Sequence, residues 1–453
     1  MYNRLIIIIY ISFFLLGCIE KKVTFYEDIA PIIHENCTPC HRSGQSAPFN
    51  LITYKDIAKR SKMINYVTET GYMPPWPADP DYSNFIGEKH LKKSEISLIK
   101  KWIKQGKIKG DSTLFSTPNY PIISQLSNPD TTIKFIDAIP ITGNNKDKFY
   151  MVALPFELPK KTYIKTIEFV PDNKQIVHHV NTHIISYNDN LKEHLNNKNW
   201  YSNTEINEDT TSFKNLNLLN NDGTYPTLIP LVCNYLPGVL PIAYPKGIGG
   251  YTLGKKNILL INDLHFGPSP IDTFDQSYFN IFYDSLPSKR PLKEIQLGSL
   301  GISEIIPPLI IPPDTIMKFT TKAMVFNDIS LLTLNPHMHL LGKSIISFAI
   351  TLTNDTIPLI KIDDWDFKWQ YFYTFKNMVK IPKGSTIIVE ALFDNTINNP
   401  YNPNSPPDTV SEKINWNGKG SMRTTDEMLQ FIITYLPYKN GDEKIALDSY
   451  KFN

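Results

Sequence analysis

The stretch FYMVALPFELPKKTYIKTIEFVPDNKQIVHHVNTH (149–183) decides how most of this chain is read. Its apolar or alternating runs are of strand length, and proline, asparagine and aspartate interrupt them where a strand must end and the chain turn. The same texture recurs in NILLINDLHF (257–266) and STIIVEALF (385–393). From Thr131 onward it predicts an all-β sandwich or barrel class, over a length that exceeds one sandwich. The polar, proline-containing DSLPSKRPLKE (284–294) is the natural internal boundary, giving two β-sandwich domains over 131–290 and 291–453. The polar insertion at 196–223 reads as a surface loop, and DDWDFKWQYFYTF (363–375) as a strand with core-facing aromatics.

Upstream the period changes. FYEDIAPIIHENC (25–37), YKDIAKRSKMINYVTE (54–69) and SEISLIKKWIKQG (94–106) carry apolar residues three and four apart, the spacing of one helix face. A small all-α domain is expected over 23–110, and the Pro-, Ser- and Asn-rich 111–130 reads as a linker. At the start, Arg4 precedes the apolar run Leu5–Leu16, too short to span a bilayer and suited to a signal-peptide core over 1–18. Leu15-Leu16-Gly17-Cys18 resembles the bacterial lipobox, which implies acylation of Cys18. The chain is thus expected to be exported and lipid-anchored to the bacterial cell envelope, on a periplasmic or outer-membrane face, touching the membrane through the lipid only.

Lys plus Arg number 46 against 44 Asp plus Glu, so no basic excess exists to follow a phosphate backbone, and nucleic acid is not an expected partner. The four cysteines are Cys18, Cys37, Cys40 and Cys233. With Cys18 and the close pair otherwise engaged, Cys233 reads as a buried small hydrophobe, and core burial rather than disulfides must hold the chain.

Cys37, Cys40 and His41 form CTPCH, the C-x-x-C-H run in which two thiols add to the vinyl groups of one haem and the histidine faces its iron. A zinc half-site and a redox dithiol are the alternatives, but no second C-x-x-C and no βαβ pattern accompany them. Met73, in the loop GYMPPWPADP, is the first candidate for the sixth iron ligand, with His90 and Met63 as rivals. The helices, the C-x-x-C-H and the M-P-P-W loop resemble a class I cytochrome c domain, which implies one covalent haem c.

Farther on, His337 and His339 in NPHMHLLG (335–342) are two apart in a strand-like context, so both face one side and can share a metal. His178 and His179 are adjacent, which in a regular strand sends them to opposite faces, so a shared ion requires an irregular strand or different ring nitrogens. His265 stands alone, and each piece taken singly reads as an ordinary polar histidine. Their order, however, resembles the copper type II, ascorbate-dependent monooxygenase family, which includes peptidylglycine α-hydroxylating and dopamine β-monooxygenases. Residues 149–180 resemble the entry into the family's histidine pair, and PKGIGGYTLGKKNILLINDLHFG (245–267) the approach to its third histidine. PHMHLLGK (336–343) resembles its H-x-H-x-x-G segment, and TTDEMLQFIITY (424–435) its D-E-M strand.

The resemblance implies two coppers: an electron-storing one on His178, His179 and His265, and a reactive one on His337, His339 and Met428, which would be the catalytic residues. It implies jelly-roll-like sandwiches, O2 as co-substrate and hydroxylation of a C–H bond. The organic substrate, small-molecule or peptide-like, is unidentified. Electrons would come through the fused c-type haem from a redox donor, ascorbate or a periplasmic carrier. The alternative is a non-catalytic exported electron-transfer or copper-binding protein on the same fold, and a weaker one an adhesion module with vestigial histidines. Where peptide-hydroxylating members grip a substrate carboxylate with arginine and tyrosine, this chain has Asn335 and Ile432, so a glycine-extended peptide is a poor fit. His183 is a candidate supporting group or alternative ligand, His34 and His194 are ordinary polar residues, and Met422 lies near Met428 but outside the D-E-M context.

Overall fold

Thr53 and Asp56 start the longest helix by reciprocal capping: the Asp56 amide donates to the Thr53 hydroxyl at 3.2 Å, and the Thr53 amide to the Asp56 carboxylate at 3.0 Å. That helix, Tyr54–Glu69, buries Ile57 and Ile64 on one face. With Ala30–Asn36 and Lys93–Lys104, whose Ile99 and Trp102 are buried, it encloses a small core around Phe25, Ile29 and Ile33. The computed structural model describes residues 21–120, 126–187, 192–195, 198–207, 209–413 and 423–447. The signal-peptide reading, Cys18 and Met422 fall outside the described residues.

The chain divides into two units, one of 1–43, 49–74 and 89–120, the other of 44–48, 75–88 and 121–453. In the first, the supposed linker is partly packed: Phe115 lies against the helical core, and the Tyr120 hydroxyl donates to the His34 carbonyl at 2.8 Å. His34 is 3% exposed and bonded at both ring nitrogens, to Tyr120 and to the Ile52 carbonyl. Aromatic residues within a polar, proline-rich run supplied the apolar surface that made 111–120 part of the fold.

The second unit makes the molecule mostly β, 37% strand against 13% helix, in several sandwich-like sheets. One sheet runs, in spatial order, Tyr201–Asn203, Lys148–Glu157, Lys256–Phe266, Val177–Tyr187, Leu228–Tyr235. Its companion runs Thr131–Lys134, Tyr278–Asp284, Thr162–Val170, Tyr251–Leu253, and Val152, Ile261 and Phe279 lie in the core between them. Met151, Ala153, Ile258 and Leu260 on the other face are covered by Leu216 and Leu218. The 196–223 insertion is therefore no simple surface loop. It holds the short helix Asp209–Asn215 and seals a sheet that is apolar on both sides, which is why MVAL and NILLI read as unbroken runs.

Beyond residue 290 a sheet of Lys293–Gly298, Leu429–Pro437, Ile329–Met338 and Tyr373–Ile381 accompanies another of Ile305–Ile306, Ile316–Met324, Thr386–Asp394, Gly342–Ile350 and Thr356–Ile362. Thr386–Asp394 alternates half-buried and buried residues along its whole length, as a strand with one face on a core must. Only Tyr373 to Phe375 of the aromatic segment is strand; 363–372 is a loop, since Asp363, Asp364 and Asp366 favour turns over ladder pairing. Among the described residues no helix is long and apolar enough to cross a membrane.

Candidate metal centre

His179 sits directly across from His265 on neighbouring antiparallel strands, while Val177 pairs with Phe266, so His178 is the extra residue of a β-bulge. The bulge is the irregularity that adjacent histidines need, because it turns His178 to the side His179 already occupies. The ligand-capable atoms of His178, His179 and His265 all lie within 4.8 Å of one another. The ring centroids are 4.9 Å apart for His178 and His265, and 4.8 Å for His179 and His265.

Hydrogen bonding fixes which nitrogens face inward. His179 Nε2–H donates to Asp263 at 2.8 Å, and His265 Nε2–H donates to Asp147 at 2.7 Å. With each ring neutral, Nδ1 is then its lone-pair nitrogen, and the two Nδ1 atoms face each other at 3.2 Å. Two lone pairs at that distance repel unless a cation lies with them. Burial first, and mutual repulsion second, lowers His178 well below the usual histidine range, and burial also lowers His265 despite Asp147. Neutral imidazoles at pH 7 are the form that binds metal. His178 Nδ1 is buried with no hydrogen-bond partner, as is His183 Nδ1, but His183 is absent from the converging group. The donor set thus fits a borderline metal such as copper.

The other pair is built on Ile329–Met338 and its end. The His337 and His339 rings lie 5.0 Å apart, at 90° to each other. His337 Nδ1–H donates to Gln370 Oε1 at 2.5 Å, and His339 Nδ1–H to the Asp426 carbonyl at 2.8 Å, which leaves Nε2 of each as a lone pair. Burial pushes His337 down to about 3, so it too is neutral. Met338 pairs with Leu429, and continuing that register by one residue sets Met428, 1% exposed, across from His339. Glu427 fastens the two segments: its buried carboxylate accepts amides from His339 at 3.0 Å, Leu341 at 2.6 Å and Met428 at 3.2 Å. Gly342 closes this turn because a Cβ there would stand 2.7 Å from Trp365 and 2.9 Å from Met338.

The 363–372 loop touches both histidine groups. Phe367 lies with its centroid 6.2 Å from His179 and 5.7 Å from His339, and Trp369 lies 5.4 Å from His178. Asn335 and Ile432 are cross-strand partners, and the Asn335 side-chain amide donates to the Tyr371 carbonyl at 3.2 Å. Sequence reading missed Asp147, Asp263, Glu427, Gln370 and Phe367. Only Asp263 and Glu427 had a signal, standing two residues before His265 and one before Met428.

In the helical unit Cys37 and Cys40 are free thiols, and burial first, then Cys40, pushes Cys37 up to about 12. His41 Nδ1–H donates to the Phe49 carbonyl at 3.2 Å, leaving Nε2 as a lone pair. Met73 is half-buried, Met63 is 53% exposed, and His90 Nδ1 is buried without a hydrogen-bond partner.

No curated protein matches the chain. In the solved structures, infectious bursal disease virus of strain Gt is 10% identical, with a TM-score of 0.15, over 75% of this chain and 88% of the viral one. The T13 particle of the same virus is 9% identical with a TM-score of 0.15, over 73% and 82%, and likenesses this low identify no fold. Residues 122–226 match the model of base plate wedge protein 53. Residues 303–402, which carry His337 and His339, match the model of the C-terminal domain of copper type II ascorbate-dependent monooxygenase.

Proposed function

We propose that this chain is a copper-dependent monooxygenase that hydroxylates a C–H bond, fed with electrons through its own c-type haem. The observation that carries the reading is the approach of the His179 and His265 Nδ1 lone pairs to 3.2 Å beside His178, in a chain whose 303–402 segment matches the monooxygenase C-terminal domain. His178, His179 and His265 hold one copper, and His337, His339 and Met428 the other. Copper, when bound, supplies the one-electron steps of O2 reduction. Inserting one oxygen atom and reducing the other to water consumes two electrons and two protons.

The chain's residues do the rest. Met428 offers a thioether, a soft donor that favours the reduced metal. Gln370 and the Asp426 carbonyl hold the His337 and His339 rings in the tautomer with Nε2 free. Phe367 and Trp369 cover the histidines with apolar rings, which limits the access of water. Asn335 and Ile432 offer a substrate no bidentate carboxylate grip, so the substrate is an organic molecule held by other contacts. Cys37, Cys40 and His41 would hold the haem, with Met73 as the candidate further donor, in a cytochrome c domain over 23–110, ahead of sandwiches over 131–290 and 291–453. Ascorbate or a periplasmic carrier would be the electron donor, and the chain is exported and lipidated at Cys18.

The test is Met428→Ala in the full, haem- and copper-loaded chain. Oxygen uptake tied to haem reoxidation falls at least 100-fold, and the haem spectrum does not change. Wild-type protein that binds copper and haem yet consumes no oxygen favours a non-catalytic electron carrier instead, and normal uptake by the variant overturns the assignment of Met428.

A further inference from the structure

We infer that Asp147 and Asp263 are positioning residues that bias the three-histidine site toward Cu(II), making it the stronger reductant of the two copper sites. This rests on the copper reading above and adds residues that no comparison assigns. His179 and His265 each meet a carboxylate on the ring nitrogen opposite the one turned inward, at 2.8 and 2.7 Å. The two rings are 0% and 1% exposed, so each carboxylate acts on the metal position through a buried imidazole rather than through water. A carboxylate behind a ligating histidine fixes its tautomer and orientation and raises its basicity.

The charges at the two sites differ. His337 is backed by the neutral amide of Gln370 and His339 by the Asp426 carbonyl, and the third donor proposed there is an uncharged thioether. Two carboxylates accept directly from the histidines of the first site and only dipoles accept from those of the second, on which Asp263 and Asp426 act without a hydrogen bond to the rings. Anions stabilise a dication more than a monocation, so for Cu(II) + e− → Cu(I) the carboxylates lower the potential of the first site. Lys368 is the nearby cation, acting on Asp147 and His178, and offsets part of this charge.

The test uses Asp263→Asn, Asp147→Asn and the double variant in the full chain, with Cu(I) and Cu(II) affinities from chelator competition and the site's potential from an EPR-monitored titration. Asparagine retains an acceptor for the imidazole N–H and removes only the charge. Each single variant loses 10- to 100-fold in Cu(II) affinity. Cu(I) affinity falls about tenfold less, which raises the potential by about 59 mV for a one-electron couple. Equal loss of both affinities with an unmoved potential, or no loss of either, overturns the inference. Asp147 is 41% exposed, so its variant keeps the test open if Asp263→Asn fails to fold. His265→Ala separates the two levels of argument: wild-type copper that this variant retains overturns the site itself, whatever the aspartates do.

Discussion

Glu427 shows how much one side chain carries. Its two oxygens accept three backbone amides from the segments that present His339 and Met428, and at 1% exposure no water replaces it. Glu427→Ala leaves three buried N–H groups without acceptors, at about 1–3 kcal/mol each. The expected outcome is a loss of about 3 kcal/mol or more in urea unfolding, with loss of the copper proposed at His337 and His339. A variant of normal stability would show that other groups accept those amides. The D-E-M tripeptide thus joins three tasks in consecutive residues: the Asp426 carbonyl accepts from His339, Glu427 ties the strands together and Met428 is the proposed thioether donor. Of these, sequence reading pointed only to Met428, as an expected metal donor, because two of the three clamped amides, those of His339 and Leu341, are distant from Glu427 in the chain.

The decisive element is the 363–372 loop, which brings Gln370 to His337, Phe367 between His179 and His339, and Trp369 onto His178. Gln370 also donates from Nε2 to the Phe367 carbonyl at 2.9 Å, so one amide fixes both a histidine and the shape of the loop. Gln370→Ala should weaken copper binding at the His337–His339 site 10- to 100-fold, as loss of an outer partner of a ligating histidine does. Copper at the three-histidine site should hold its affinity, because Asp147 and Asp263 support those rings. Chelator competition on each site measures this, and equal weakening at both would show that the loop acts globally. Aromatics in a polar setting read as a strand because strands favour aromatic residues. Three aspartates in the same run made it a loop.

For the whole molecule, the candidate copper ligands lie in one unit and Cys37, Cys40, His41 and Met73 in the other. Copper at 100 times its dissociation constant stabilises the fold that binds it by about 2.7 kcal/mol per site. Adding a chelator should therefore lower the melting of the β unit, read by near-ultraviolet circular dichroism, and leave the melting of the helical unit, read by the band of the haem proposed there, at the same temperature. A matching shift of the haem band would mean that the units unfold as one. The sequence by itself determined the helical and β regions, the C-x-x-C-H run and the identity of the histidines, because hydrophobic period and ligand spacing are local properties. Tertiary structure alone decided that a bulge turns His178 beside His179, that Asp147 and Asp263 stand behind the rings, and that the 363–372 loop reaches both groups. Those outcomes depend on strand register and on contacts between residues more than 80 positions apart, such as His179 with Asp263, and no short window of sequence encodes either.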